Sequence, residues 1–107
     1  QRTENGLFTV EVIMEKEDLK VGENKPLRLI IRDTSGNPIE RAGIKAALWM
    51  TEHGHGSSKQ ARVEEKGNGL YIIEDLYLTM RGKWGLIIEI KHKGKEDAVV
   101  ITLPKIN

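Results

Sequence analysis

The chain has 107 residues, a formal net charge of +1 from 17 Lys and Arg against 16 Asp and Glu, and no cysteine. A chain of this length forms one domain, residues 1–107, and buries enough surface to fold without disulfides. The composition excludes thiolate nucleophiles and cysteine-based metal centres, and the balanced charge argues against a nucleic-acid binder. Because the sequence begins with Gln1, we expect a processed or trimmed chain, and the presence of an upstream signal or anchor stays open.

Residues 1–6 are polar, and we expect them to be disordered. Beyond them, apolar and polar residues alternate with a period of two, which is typical of half-buried strands. About seven segments show this pattern or an apolar run bounded by turns: residues 7–14, 27–33, 44–50, 61–65, 70–78, 84–92 and 97–103. Turn signals separate them at intervals of roughly 8–12 residues, and no segment keeps a helical period. The sequence therefore predicts an all-β, immunoglobulin-like antiparallel sandwich.

The alternation also predicts which side chains form the core. The inward positions are Val10, Val12, Leu29, Ile31, Ile44, Leu48, Tyr71, Trp84, Leu86 and Ile88. Trp84 follows a glycine turn and begins an apolar strand, so we predict that it is the central aromatic of the sandwich. Trp49 lies on the opposite face of its strand from Leu48 and stands beside a histidine-containing loop. An exposed Trp49 would mark a partner surface, although partial burial by packing is the more common role of a tryptophan.

The loop after the third predicted strand contains the densest group of metal-capable side chains. His53 and His55 are two positions apart and separated by a glycine, and Met50 precedes them. Met80 stands in a later turn that opens at the same end of the sandwich if the strands before the two turns run in the same direction. Imidazole binds copper, zinc and nickel, and thioether sulfur selects Cu(I). The pattern indicates a copper site of His53, His55, Met80 and Met50, and solvated histidines beside core methionines remain the alternative.

Three stretches carry a resemblance to a known family: Met50-Thr51-Glu52-His53-Gly54-His55-Gly56, Gly69-Leu70-Tyr71, and Leu78-Thr79-Met80-Arg81-Gly82-Lys83-Trp84. Together they resemble the YtkA-like domain, which is related to FixH-type accessory proteins. Thr51 stands where that family usually has proline, and His53 where it often has methionine. The resemblance implies an extracytoplasmic immunoglobulin-like domain. It also implies copper as a cofactor and a membrane or extracytoplasmic metalloprotein, such as a copper-containing oxidase under assembly, as the partner.

No catalytic arrangement supports an enzyme. Glu52, His53 and Ser57 have the residue types of a hydrolase triad, but the Gly-x-Ser-x-Gly elbow is absent. The histidine spacing is not that of a zinc protease helix, and no small-molecule substrate is indicated. Two functions remain for comparison: a metal-handling accessory domain, and a structural or protein-interaction module that binds no metal.

Overall fold

The computed structural model describes residues 1–13, 26–50, 55–56, 61–74, 76 and 83–103, with the backbone alone for residues 50, 55 and 56. The described residues form strands and no helix, and none of them belongs to a helix able to cross a membrane. The strands are β1 (Phe8–Ile13), β2 (Leu27–Asp33), β3 (Gly43–Met50), β4 (His55–Gly56), β5 (Arg62–Gly67), β6 (Leu70–Glu74), β7 (Trp84–His92) and β8 (Lys95–Thr102). Each of the seven predicted segments overlaps one of the longer strands, and β3, β5 and β8 extend beyond the predicted bounds.

The strands pair into two four-stranded sheets, in the orders β1-β2-β6-β5 and β4-β3-β7-β8, and every pair is antiparallel. We call them sheet A and sheet B. Their inner faces supply one continuous core of buried apolar side chains, which is the arrangement of a β-sandwich. The predicted all-β immunoglobulin-like fold is confirmed.

The core contains most of the predicted residues. Trp84 is its largest fully buried side chain, followed by Tyr71. Val12 and Ile44, which the sequence predicts to be core, are instead only partly buried against it. Val12 lies in β1 beyond Val10, where the hydrogen bonds that residues 1–3 form with the outer edge of β1 end in the described part of the chain, and Ile44 lies near the beginning of β3 at the end of the sandwich. Both positions therefore have fewer packing partners than the central strands supply.

The N-terminal segment is ordered, which differs from the disorder predicted for residues 1–6. Thr3 is buried, with 3% of its surface exposed, and its backbone N–H donates to the carbonyl of Phe8. The carboxylate of Asp97 in β8 accepts the Thr3 hydroxyl at 2.5 Å and the backbone N–H groups of Asn5 and Leu7 at 3.0 and 3.2 Å. Polar composition indicated fraying, but a carboxylate distant in sequence supplies the partners that hold the segment.

The turn after β2 is organised by Asp33. Its carboxylate accepts the backbone N–H groups of Ser35 and Asn37, both at 2.9 Å. The hydrogen bond from the Asn37 N–H is the main reason that the pKa of Asp33 lies below its ordinary value. The Asp-x-x-Gly-Asn-Pro sequence thus forms a self-capped turn, and its residues maintain the fold.

Tyr71 in β6 hydrogen-bonds to the backbone of residues 39–42, which follow this turn. Its hydroxyl donates to the carbonyl of Ile39 at 2.9 Å and accepts the backbone N–H of Ala42 at 3.2 Å. Burial raises the pKa of Tyr71 and outweighs the opposing effect of the Ala42 N–H. The arrangement is like the tyrosine corner of immunoglobulin-type sandwiches, in which a tyrosine hydroxyl binds a nearby backbone.

Gly69 explains the glycine of the Gly-x-Tyr stretch. Its φ is +80°, and an added Cβ would lie 2.6 Å from the carbonyl oxygen of Ile31 and 3.0 Å from the Cβ of Pro38. Both the backbone conformation and the close approach require glycine here. The stretch Gly69-Leu70-Tyr71 and the stretch that ends at Trp84 both carry the family resemblance. Gly69, Tyr71 and Trp84 in these stretches have structural roles.

Candidate metal and partner site

The end of sheet B at which β3 finishes brings several of the predicted site positions together. Met50, the last residue of β3, pairs with His55 of β4 on one side and with Trp84 of β7 on the other. The sequence predicts an irregular loop after Met50, but His55–Gly56 instead forms a two-residue strand against Trp49–Met50. Because a two-residue strand is too short to show a period, alternation along the sequence does not detect it.

The register assigns these positions to opposite faces of sheet B. Residues directly opposite each other in neighbouring antiparallel strands share a face, and successive residues of one strand alternate between faces. Trp84 is buried, as are Ala46 and Leu48 earlier in β3. Met50 and His55 therefore occupy register positions on the core side of the sheet, while Trp49 occupies the outer side.

The remaining predicted ligands fall elsewhere. His53 and Met80 lie outside the described residues. Within the described ranges, no group of three or more His, Asp or Glu residues is close enough to hold a metal ion. The structure thus places two of the four predicted ligand positions, Met50 and His55, opposite each other, and a shared site that includes His53 and Met80 stays a prediction.

Trp49 is exposed on the outer face of sheet B, with 39% of its surface accessible. Its register neighbours in β4 and β7 are Gly56 and Gly85. Because these glycines have no side chains, Trp49 has no side chain directly opposite it in either neighbouring strand. The exposure fits a contact surface, and the role of Trp49 toward a partner stays a prediction.

The third histidine lies far from this end. His92 is the last residue of β7, whereas Trp84 is its first. The His92 ring is half-buried and meets the ring of Phe8 edge-on, with 6.4 Å between the ring centroids and 78° between the planes. His92 therefore packs at the opposite end of the sheet from Met50 and His55.

Asp97 is a buried ionisable residue that the sequence alone did not lead us to predict. Asp97 is two and four positions before Val99 and Ile101, so all three side chains face the core from β8. A charged residue at a position that alternation assigns to the core could have identified this buried carboxylate from the sequence. Burial opposes ionisation of its carboxyl group, but hydrogen bonds from Thr3, Asn5, Ala98 and Leu7 together outweigh that effect and lower the pKa of Asp97 to about 2. Because these donors occupy both carboxylate oxygens, we assign Asp97 a structural role.

Comparisons with known proteins agree with this architecture. The model of a family described as YtkA-like matches residues 4–89. The crystal structure of the Lin-41 filamin domain superposes with a TM-score of 0.60 at 14% identity, and the match covers 92% of this chain and 91% of that one. The ZirS C-terminal domain gives a TM-score of 0.50 at 15% identity, over 99% of this chain and 69% of that one. At such identities the likeness concerns the fold alone. No curated protein matches in sequence.

Proposed function

The chain belongs to the YtkA-like family, and we propose that it is an extracytoplasmic, non-enzymatic accessory domain that binds copper at the β3–β4 end of sheet B and assists the assembly of a metalloenzyme such as an oxidase. The family and the immunoglobulin-like fold fit an accessory domain. Copper and the extracytoplasmic location come from the family resemblance and from the chemistry of the loop.

The pairing of Met50 with His55 is the observation that carries the proposal. It sets one thioether-bearing and one imidazole-bearing residue directly opposite each other at the sandwich end. His53 is two positions from His55, and Met80 is four positions before Trp84, the other register neighbour of Met50. These short separations along the chain are the reason that His53 and Met80, which lie outside the described residues, are included in the proposed site.

This ligand set suits copper better than other metals. Thioether sulfur favours Cu(I), and imidazole binds both Cu(I) and Cu(II). A copper ion held here would be cargo for a partner protein. Neutral imidazole is the binding form, so affinity should fall as the pH decreases below the ordinary histidine pKa of about 6.5.

Titration of the purified chain with Cu(I), Cu(II) and Zn(II) tests the proposal. We expect His53→Ala and His55→Ala each to weaken copper binding by at least about tenfold, because loss of even an outer-shell partner of a metal ligand typically costs about 10–100-fold in affinity. Met80→Leu and Met50→Leu should weaken Cu(I) more than Cu(II). His92→Ala is the matched control, because His92 lies at the other end of β7.

Two results would reject the copper site. One is a chain that takes up no copper at micromolar concentrations. The other is a loss of affinity in His92→Ala equal to that in His55→Ala, which would mean that the ion binds histidine nonspecifically. Isolation of the chain with bound copper, lost in the His55 variant, would support the site by a route independent of titration.

A protein-interaction module without metal is the second candidate. The exposure of Trp49 on a sheet face favours it, because clustered exposed apolar side chains often mark protein contacts. An intact fold with no copper affinity would leave this module as the function of the domain.

A further inference from the structure

Sheet B has two adjacent uncharged rows on its outer face. Register pairing across β3, β7 and β8 defines the first row as Trp49, Gly85 and Thr102, and the second as Ala47, Ile87 and Val100. Trp49 and Val100, with 39% and 45% of their surfaces accessible, are two of the three large exposed apolar residues in the described part of the chain. The third, Ile13, is in sheet A. Exposed apolar residues are therefore concentrated on this face.

Side-chain size alternates between the two rows. In β3, the large Trp49 stands beside the small Ala47, and in β7, the large Ile87 stands beside Gly85. Gly85 is buried, and an added Cβ would lie 3.2 Å from Cγ1 of Val100. The face consequently has a large and a small position in each of these strands, and Cγ1 of Val100 partly covers the small position at Gly85.

We propose that this face binds the same face of a second copy of the chain, about a two-fold axis that lies in the interface between the two rows. Rotation about this axis places the first row of each copy against the second row of the other copy. It sets a large residue against a small one in β3 and β7, in the pairs Trp49 with Ala47 and Ile87 with Gly85, and it sets Val100 against Thr102, a residue of similar size, in β8. An interface of this kind is isologous, since each contact occurs twice. Face-to-face packing of twisted sheets is a common way to bury apolar faces.

The charged residues Glu89 and Lys83, which lie on either side of the two rows, are placed opposite each other by the same axis. Glu89 lies one step below Ile87 on the outer face of β7, beside its register neighbour Lys45 in β3. The exposed Lys83 immediately precedes β7, two positions before Gly85. The axis brings Glu89 of each copy to Lys83 of the other, so the interface has an ion pair of opposite charge on either side of its apolar centre. The Lys91–Glu96 pair, joined at 3.4 Å within one chain, lies farther along the face.

The size of the face indicates weak association. Its two rows and the Lys83–Glu89 pairs contribute fewer than ten residues per copy, compared with about 20–30 residues per side in interfaces of standard size. We therefore expect a dissociation constant between about 10 µM and about 1 mM. The inference is independent of the copper proposal, because none of these residues is a candidate ligand.

Sedimentation equilibrium of the whole chain from about 10 µM to about 2 mM tests the proposal, and we expect a reversible monomer–dimer equilibrium. Val100→Asp should raise the dissociation constant at least tenfold, since it buries a charge within the uncharged rows of the interface. Ile13→Asp is the matched control, because Ile13 has a similar exposure of 40% but lies in the other sheet. A chain that is monomeric throughout, or an Ile13 variant that dissociates as much as the Val100 variant, would overturn the proposal.

A charge exchange tests the axis itself. Lys83→Glu and Glu89→Lys each place like charges opposite each other in a homodimer, so each variant alone should associate several-fold more weakly than the wild type. An equimolar mixture of the two variants restores opposite charges at both sites and should associate more tightly than either alone. A mixture no tighter than its components would refute this axis. Binding of monomeric chain to phosphatidylcholine–phosphatidylglycerol vesicles through Val100, without self-association, would also overturn the proposal in favour of a lipid surface.

Discussion

Removal of the Asp97 carboxylate should release the N-terminal segment. This carboxylate accepts the Thr3 hydroxyl and the backbone N–H groups of Asn5, Leu7 and Ala98. In either orientation of the amide, Asp97→Asn turns an NH2 group toward at least one of these donors. A hydrogen bond to a charged group contributes about 1.5–3 kcal/mol. We expect a loss of about 2–4 kcal/mol in the free energy of unfolding at pH 7. This loss is smaller than the sum of the individual hydrogen-bond contributions, because the groups of a detached segment form hydrogen bonds to water instead.

The pH dependence has a definite sign. The folded-state pKa of Asp97, about 2, lies below the ordinary value of 3.8, so the ionised carboxylate stabilises the folded state above pH 3.8. This stabilisation is lost as the pH falls through about 2. Asp97→Asn lacks this component, so the difference in stability between wild type and variant should shrink between pH 5 and pH 2.

Urea denaturation followed by tryptophan fluorescence measures both effects, and hydrogen exchange at the Val10 amide, which donates to the Gln1 carbonyl at 2.8 Å, reports release of the segment. Glu96→Gln is the control, because Glu96 is the exposed neighbour of Asp97, and surface substitutions usually change stability by less than about 0.5 kcal/mol. If Asp97→Asn changes stability no more than this control at pH 7, Asp97 does not anchor the N-terminal segment.

Three further substitutions test the core and the turn contacts, each by urea denaturation. Trp84→Ala should cost about 3–5 kcal/mol, the range for truncating a large buried aromatic, and a loss below about 1 kcal/mol would show that Trp84 is not central to the core. Gly69→Ala should cost more than Gly36→Ala, because both have positive φ but only Gly69 faces a backbone oxygen, at 2.6 Å; equal losses would contradict the close approach. Tyr71→Phe should cost about 1–3 kcal/mol, because it leaves the carbonyl of Ile39 unpaired, and an unchanged unfolding midpoint would argue against the corner.

Alternation along the sequence was sufficient to predict the seven longer strands and the burial of Trp84. The bounds of β2 and β7 agree with the prediction, because both strands are long and have clear turn signals on either side. The opposite faces of Leu48 and Trp49 follow from the same period of two. Strand bounds and the facing of side chains along a strand depend on residues close together in the chain, so they can be predicted from a single sequence.

Other features depended on contacts between residues distant in sequence. Thr3 is ordered by Asp97, 94 positions away, and the short strand at His55–Gly56 exists because β3 offers it an edge. The requirement for glycine at position 69 comes from the approach of Ile31.

The outer rows of sheet B, and the pairing of Met50 with His55, follow from strand order and register. The sequence determines which residues face inward and which outward along each strand, because alternation is a local property of the extended backbone. Only the tertiary structure decides which residues of different strands become neighbours, because register is fixed by the packing of whole strands and by the geometry of the turns between them.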